Sequence, residues 1–158
     1  MFKTMIRTLA VIVTVCIVST GVLFSQVAIL SEFSGAGQPL AVAVDLERNS
    51  VIAVKINNSH RIIKYNPFGD ILAEWFIDDE PRGIAIDQLN NINVIAVTID
   101  GNHRVVSYSP FGDFIYESFG GGEPVGIAAS SGASFEGNFL SIVIMNGSDH
   151  RVLNYSAD

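Results

Sequence analysis

The chain has 158 residues, of which 49% are hydrophobic and 16% charged, and its formal net charge is −7. Without Lys3 and Arg7, residues 26–158 contain seven basic and sixteen acidic residues, a net charge of −9. Phosphate backbones repel such a surface, so we expect no nucleic-acid partner. The single cysteine, Cys16, lies in an apolar run near the amino end, which excludes disulfide and thiol chemistry from the remainder.

The amino end has the order of a signal peptide. Lys3 and Arg7 precede an uncharged apolar run over residues 9–24, and small polar residues follow it. The sixteen residues of this run exceed a usual signal-peptide core but fall short of the roughly 20 that span a bilayer. We therefore expect residues 1–25 to be a cleaved signal peptide or a retained membrane anchor, with membrane contact only through residues 9–24. Both outcomes place residues 26–158 outside the cytoplasm, secreted or anchored, because the positive charges stay inside.

Residues 26–158 contain three copies of one repeat. A His-Arg pair recurs at spacings of 43 and 47 residues, and each pair is followed by two apolar residues and, two positions later, a tyrosine. A proline at the head of a short apolar run recurs in step with these pairs. The recurring residues are His60 and Arg61, His103 and Arg104, His150 and Arg151, and the prolines Pro39, Pro81 and Pro124. The third unit is longer, with extra residues near 131–138.

Short runs rich in Val and Ile, separated by Asn, Gly, Asp and Pro, are typical of strands joined by tight turns. In the second unit they predict four strands, over residues 83–86, 93–99, 104–109 and 114–119. Four strands in a period of about 40 to 45 residues form one β-propeller blade. No stretch after residue 24 has helical spacing of apolar residues. We expect an all-β fold, a β-propeller segment of three four-stranded blades, after an apolar N-terminal helix.

The second unit carries the most complete motif, in which Pro81, Gly83, Ile84, Ala85 and Asp87 precede an apolar strand and the tetrapeptide Asn-His-Arg-Val. This pattern resembles the NHL repeat, and the resemblance covers nearly all of residues 29–158. It implies an NHL-type β-propeller, a group that also includes an amidating lyase with a metal-bearing channel. The family usually has an aspartate four residues before the histidine, a position taken here by Ile56, Ile99 and Asn146.

The repeated polar residues have structural interpretations that need no ligand. Three histidines could suggest a zinc site, but equivalent positions in successive blades are separated by far more than one ion bridges at about 2 Å per bond. We expect His60, His103 and His150 to be turn histidines bonded to backbone. Glycines such as Gly83 and Gly126 should allow close backbone approach in crowded inner strands.

The repeated arginines are expected to cover apolar surface and to pair with neighbouring carboxylates such as Asp70 and Asp113, rather than to bind a polyanion. Three sequons, at Asn57, Asn146 and Asn154, are glycosylation sites if the host has the machinery, although turns select the same residue types.

Asp45 and Asp87 end the strands that would line a propeller channel, which makes them weak candidates for a metal or polar ligand. Solvated strand-end carboxylates are the preferred interpretation. No residue is marked as a nucleophile, so we expect no catalytic residue and no cofactor.

Residues 27–33 match the outermost strand of the second unit, and Val27, Ile29 and Phe33 are the residues expected at its strand-exchange edge. Because propellers close with four to eight blades, three cannot form a ring. We expect a homo-oligomer, either a two-fold six-bladed ring with exchanged strands or an open fibre, or docking on a protein partner. The favoured function is a non-catalytic binding or structural module. The alternatives are a lyase-like or metal-binding propeller enzyme completed by oligomerisation, and a single-pass accessory subunit of a membrane complex.

Overall fold

A computed structural model of the chain describes residue 32, residues 34–129 and residues 138–157, with side chains for residues 32, 34–129 and 140–155. This part of the chain contains eleven strands and no helix. The first sheet contains β1 (Gln38–Val44), β2 (Ser50–Ile56), β3 (Ser59–Tyr65) and β4 (Ile71–Ile77). The second contains β5 (Glu80–Ile86), β6 (Ile92–Val97), β7 (His103–Tyr108) and β8 (Phe114–Gly120). The third contains β9 (Glu123–Ala129), β10 (Asn138–Asn146) and β11 (Asp149–Ala157).

Each sheet corresponds to one sequence repeat, and its strands pair antiparallel in chain order. The four strands predicted for the second unit are present. The predicted start at residue 83 was three residues late, since β5 begins before its proline. The sheets lie in sequence order, with the first strands β1, β5 and β9 as neighbours. The all-β expectation is therefore confirmed as three antiparallel sheets of four, four and three strands within the described residues.

The sequence Pro-Phe-Gly-Asp occurs twice, at residues 67–70 and 110–113, and forms the turn after the third strand of the first and second sheets. In the first unit, the side-chain oxygen of Asn66 accepts hydrogen bonds from the backbone N–H groups of Phe68 and Asp70, both at 2.9 Å. Ser109 does the same in the second unit with its hydroxyl oxygen. Gly69 has φ of 90°, a left-handed conformation that glycine adopts without steric cost. Local sequence therefore specifies this hairpin.

Two apolar layers hold the three sheets together. Between the first and second sheets, Val51 and Ile62 pack against Val94 and Val106, all four fully buried. Between the second and third sheets, Ile95 lies in a cluster that includes the fully buried residues Leu140 and Ile142. Each strand alternates between two faces, so one sheet can supply side chains to both layers.

A β-bulge recurs near the start of every first strand. Leu40, Arg82 and Val125 are the extra residues, and each lies between the repeat proline and the residue two positions after it. Proline has no N–H to donate to the ladder, and a bulge locally interrupts the pairing at the same place. The repeated proline therefore marks a shared irregularity of the inner strands.

The expected leader over residues 1–25 and the expected edge residues Val27, Ile29 and Phe33 lie outside the described residues. So does most of the extra segment of the third unit. Among the residues that are described, there is no helix with the length and hydropathy needed to cross a membrane.

Candidate functional site

The two weak metal candidates, Asp45 and Asp87, cap the turns that follow β1 and β5. Asp45 accepts hydrogen bonds from the backbone N–H groups of Glu47 at 2.9 Å and Asn49 at 2.8 Å, and from the Asn49 amide at 2.9 Å. Asp87 forms the same three bonds with Leu89 and Asn91 at 2.8 to 3.0 Å. Both carboxylates are buried rather than solvated, and each accepts three hydrogen bonds from its own turn.

Asp45 has a further partner that its repeat equivalent lacks. The Lys64 ammonium lies 2.9 Å from its carboxylate, and the two side chains are 7% and 1% exposed. Burial opposes ionisation of Asp45, but the Lys64 and Asn49 donors outweigh burial and lower the pKa of Asp45 below its ordinary value. Ser107 takes the place of Lys64 in the second unit and Asn154 in the third, so among the described residues this ion pair occurs only in the first sheet.

The three repeated histidines have different environments. The His103 ring is fully buried, with Nδ1 3.3 Å from the carbonyl oxygen of Gly122 and Nε2 3.1 Å from the Tyr155 hydroxyl. It therefore joins the second sheet to the third. His60 is half-buried, and its Nε2 atom is buried with no hydrogen-bond partner among the described residues. His150 is exposed.

Two of the three repeated arginines form ion pairs across their own sheets. Arg61 pairs with Glu74 at 2.6 Å, and its guanidinium lies 4.6 Å from the centre of the Phe76 ring. Arg104 pairs with Glu117 at 2.5 Å and, in addition, with Asp79 at 2.8 Å, and lies 5.6 Å from the Phe119 ring.

The prediction that Asp70 and Asp113 pair with the arginines was wrong, because both carboxylates accept hydrogen bonds within their hairpin turns instead. Arg61 and Arg104 nevertheless cover apolar surface, because their guanidinium groups lie over phenylalanine rings. Arg151 is exposed and makes no ion pair within the described part of the chain.

Repeat-equivalent glycines differ in the space around them. A Cβ atom at Gly83 would lie 3.0 Å from Ile127 of the third sheet and 3.3 Å from Ile95. A Cβ atom at Gly126 would meet nothing within 4 Å. The tight approach of one sheet to the next therefore occurs at Gly83, whereas the space beside Gly126 is open.

The three sequon asparagines are exposed. Asn57 lies in the turn between β2 and β3 with φ of 57°, and Asn146 ends β10. Asn154 accepts a hydrogen bond of 2.8 Å from the Ser141 hydroxyl. All three positions leave the side chain accessible from solvent.

The described residues contain no group of three or more His, Cys, Asp or Glu side chains that could hold a metal ion. The surface of the described residues includes two open depressions. One, of about 480 Å³, lies beside His103 and the β6–β7 turn, where the Asp100 carboxylate accepts hydrogen bonds from Thr98 and Asn102. The other, of about 420 Å³, lies at the bulges, where Arg82 pairs with Glu80 at 3.4 Å. In both depressions these charged groups already have protein partners.

One outer face of the three-sheet array, the leading face, is the face of the first sheet that points away from the second. On β1 it presents Val42 and Val44, which alternate with Ala41 and Ala43 of the opposite face. Val42 is 64% exposed, whereas its repeat equivalent Ile84 is 7% exposed and packs between the first and second sheets. The β1 part of the leading face therefore exposes a position that the contact between the first and second sheets buries. On β2 and β3 the same face is buried, at Val54, Ile63 and Tyr65.

The other outer face, the trailing face, is the face of the third sheet that points away from the second. It presents Val152 of β11, which is 57% exposed. The equivalent residues Ile62 and Val105 are 0% and 2% exposed, because a neighbouring sheet covers each of them. In addition, β11 has no outer neighbour among the described strands, whereas β3 and β7 pair with β4 and β8.

These two faces and the β11 edge form the candidate functional site. Sequence analysis singled out the edge residues 27–33 but missed Val42, Val44 and Val152, since their exposure depends on which sheets are neighbours. Aligning the repeats would have pointed to them, because equivalent positions in the other units are also apolar.

No protein-family model matches the chain, and no curated protein matches it. Among solved structures, the chain is similar to a protein of unknown function from Bacteroides caccae, whose crystal structure was determined at 1.35 Å resolution. The identity is 16% and the TM-score 0.49, over 78% of this chain and 48% of that chain. The chain thus spans about half the length of that structure.

Proposed function

We propose that the chain is a non-catalytic binding and structural module of NHL-type β-propeller blades, acting outside the cytoplasm through its outer faces and its strand edge. The correspondence of one repeat with one antiparallel sheet supports the blade assignment, as do the neighbouring first strands β1, β5 and β9. The leader-like residues 1–25 support export.

The observation that carries the proposal is the exposure of Val152 and Val42. Their repeat equivalents Ile84, Ile62 and Val105 are buried between sheets. The β1 part of the leading face and the β11 part of the trailing face therefore have the composition of interfaces without an occupant among the described residues. Apolar sheet faces and unpaired strand edges promote association. A module that works by docking accounts for both features.

An enzyme or metal-binding function has weaker support. The carboxylates of Asp45 and Asp87 are engaged by their own turns, and the buried His103 ring bonds Gly122 and Tyr155. These contacts give all three side chains a structural role in the fold. The function as an accessory membrane subunit depends on retention of residues 9–24, which lie outside the described residues.

The test is the solution mass of the full-length chain in mild detergent, measured by light scattering over a concentration series. We expect the wild-type chain to associate and Val152→Asp to remain monomeric, because a buried unpaired carboxylate is costly in an interface. The matched control is Ile99→Asp, since Ile99 is fully exposed in the β6–β7 turn and lies on neither outer face. A wild-type chain that stays monomeric at every concentration contradicts self-assembly.

A further inference from the structure

Resting on the proposed function, we propose that the β11 edge binds an extended segment of another protein, which adds to the third sheet as its fourth strand. The segment carries a glutamate and, two residues later, a phenylalanine, and both side chains contact Arg151. The first and second sheets already contain such a strand, β4 and β8, each paired with the third strand of its sheet. These two strands define the chemistry of the segment that the third sheet accepts.

The edge strand β11 is long and regular. Its nine residues pair with β10 without a bulge, from Asp149 opposite Asn146 to Ala157 opposite Asn138. The strand contains no proline and no lysine, two residue types with which natural edge strands prevent pairing. Its other side has no neighbour among the described strands. Such an edge is a template for a further strand, because it presents a continuous row of backbone donors and acceptors.

One face of β11 fixes the strand in position. Leu153 and Tyr155 pack in the apolar layer between the second and third sheets, and the Tyr155 hydroxyl lies 3.1 Å from His103 Nε2. Val152 and Asn154, on the opposite face of the strand, are exposed. Because the strand is already held by the second sheet, a partner loses little binding free energy in ordering it.

In the first and second sheets, the arginine of the third strand meets the fourth strand in the same way. Arg61 pairs with Glu74 at 2.6 Å and lies 4.6 Å from the centre of the Phe76 ring. The same two contacts recur in the second sheet between Arg104, Glu117 and Phe119. In both registers the phenylalanine is opposite the arginine and the glutamate is diagonal to it. Glu-x-Phe is therefore the pattern by which a fourth strand contacts the repeated arginine.

The third sheet has the arginine but no described strand to contact it. Arg151 is equivalent to Arg61 and Arg104, yet it is exposed and has no ion pair among the described residues. The registers of β3 with β4 and of β7 with β8, applied to β11, place the glutamate of an added strand opposite Leu153. The phenylalanine is then opposite Arg151. The segment that completes this arrangement reads apolar-apolar-x-Glu-x-Phe, the pattern that β4 and β8 share.

Charge complementarity favours another protein over a second copy of this chain. Glu-x-Phe occurs twice in the 158 residues, at residues 74–76 and 117–119, and both occurrences lie in the fourth strands described above. Their glutamates are already bonded to the arginines of their own sheets. A second copy that paired either glutamate with Arg151 would break one ion pair to form an equivalent one, with no net gain. A segment of another protein brings a glutamate that is free to pair.

The probe is a synthetic peptide of residues 113–120, which contain β8, with both ends blocked. Its binding to the full-length chain in mild detergent is measured by calorimetry, and urea unfolding checks that each variant folds. The wild-type chain should bind this peptide at least about tenfold more tightly than a scrambled peptide of the same composition. Arg151→Glu should raise the Kd roughly tenfold, because attraction to the glutamate becomes repulsion and the contact with the ring is lost. A peptide with Glu117→Arg should reverse this order and bind the Arg151→Glu chain more tightly than wild type.

The matched control is Arg48→Glu, the same charge change at an exposed residue in the turn between β1 and β2, which should leave the Kd unchanged. Equal binding of the scrambled peptide, or a Kd that Arg151→Glu does not alter, would overturn the inference. So would a fall in the solution mass of the chain on peptide binding, since a second copy would then hold the edge. A chain that associates but does not bind the peptide removes this inference alone. A monomeric wild-type chain that binds the peptide contradicts self-assembly and keeps the β11 site.

Discussion

The buried ion pair between Lys64 and Asp45 predicts that removing the Asp45 carboxylate lowers the free energy of unfolding more than removing the Lys64 ammonium does. Asp45→Asn leaves the Lys64 ammonium in a site where it is 7% exposed, and the one other acceptor among the described residues is the carbonyl oxygen of Pro110, at 3.4 Å. Lys64→Met leaves the Asp45 carboxylate with three turn donors. That environment resembles the one in which Asp87 exists without a lysine.

The magnitudes follow from what each variant leaves unpaired. An uncompensated buried charge costs about 3 to 5 kcal/mol, so Asp45→Asn should lower the free energy of unfolding by about that amount. Lys64→Met removes the charge and keeps most of the aliphatic volume, so a loss of about 1 to 2 kcal/mol is expected. The double variant should be more stable than Asp45→Asn alone, because it no longer contains the isolated ammonium.

Urea unfolding at pH 7, followed by far-UV circular dichroism, gives the four free energies of this double-mutant cycle. The reasoning is refuted if Lys64→Met destabilises the chain as much as Asp45→Asn does. Acid titration offers a second readout. The lowered pKa of Asp45 stabilises the fold above the unfolded value of about 3.8, and this contribution is lost as pH falls through the folded pKa. In Lys64→Met the loss should occur at a higher pH.

Two further comparisons each use a less crowded residue of the same type as the control, and both are measured by urea unfolding at concentrations where the chain is monomeric. His103→Ala should cost about 2 to 4 kcal/mol, because it leaves a cavity and removes the contacts with Gly122 and Tyr155; the exposed His150→Ala should change stability by less than about 0.5 kcal/mol. Equal losses would contradict the bridging role of His103. Gly120→Ala should cost about 1 to 3 kcal/mol because its methyl group meets the His103 ring, whereas Gly126→Ala should be neutral or slightly stabilising. If Gly126→Ala lowered the free energy of unfolding more than Gly120→Ala, the close packing of Gly120 against the His103 ring would be wrong.

Much of the fold follows from local sequence. The recurrence of His-Arg pairs and prolines defines three units, and short Val- and Ile-rich runs between turn residues define their strands. Turns are predictable because a side chain such as Asn66 bonds backbone groups two and four residues later. The strand boundary at Pro81 was missed because proline usually ends a ladder, whereas here the strand continues through a bulge.

The partners of the repeated side chains were decided by tertiary structure. Sequence proximity suggested Asp70 for Arg61, but the antiparallel register places Arg61 opposite Phe76 and diagonal to Glu74. His103 bonds Tyr155, 52 residues away, because the second and third sheets pack face to face.

By itself, the sequence determined the repeat, the all-β class and the hairpin turns, since each depends on residues close together in the chain. Tertiary structure alone decided which residues are buried, because burial depends on which sheets are neighbours. Ile62 and Val152 occupy the same repeat position, but another sheet covers only Ile62, and Val152 remains exposed. The position of a residue at an internal or an outer face, rather than its type, distinguishes a core residue from a residue of the candidate site.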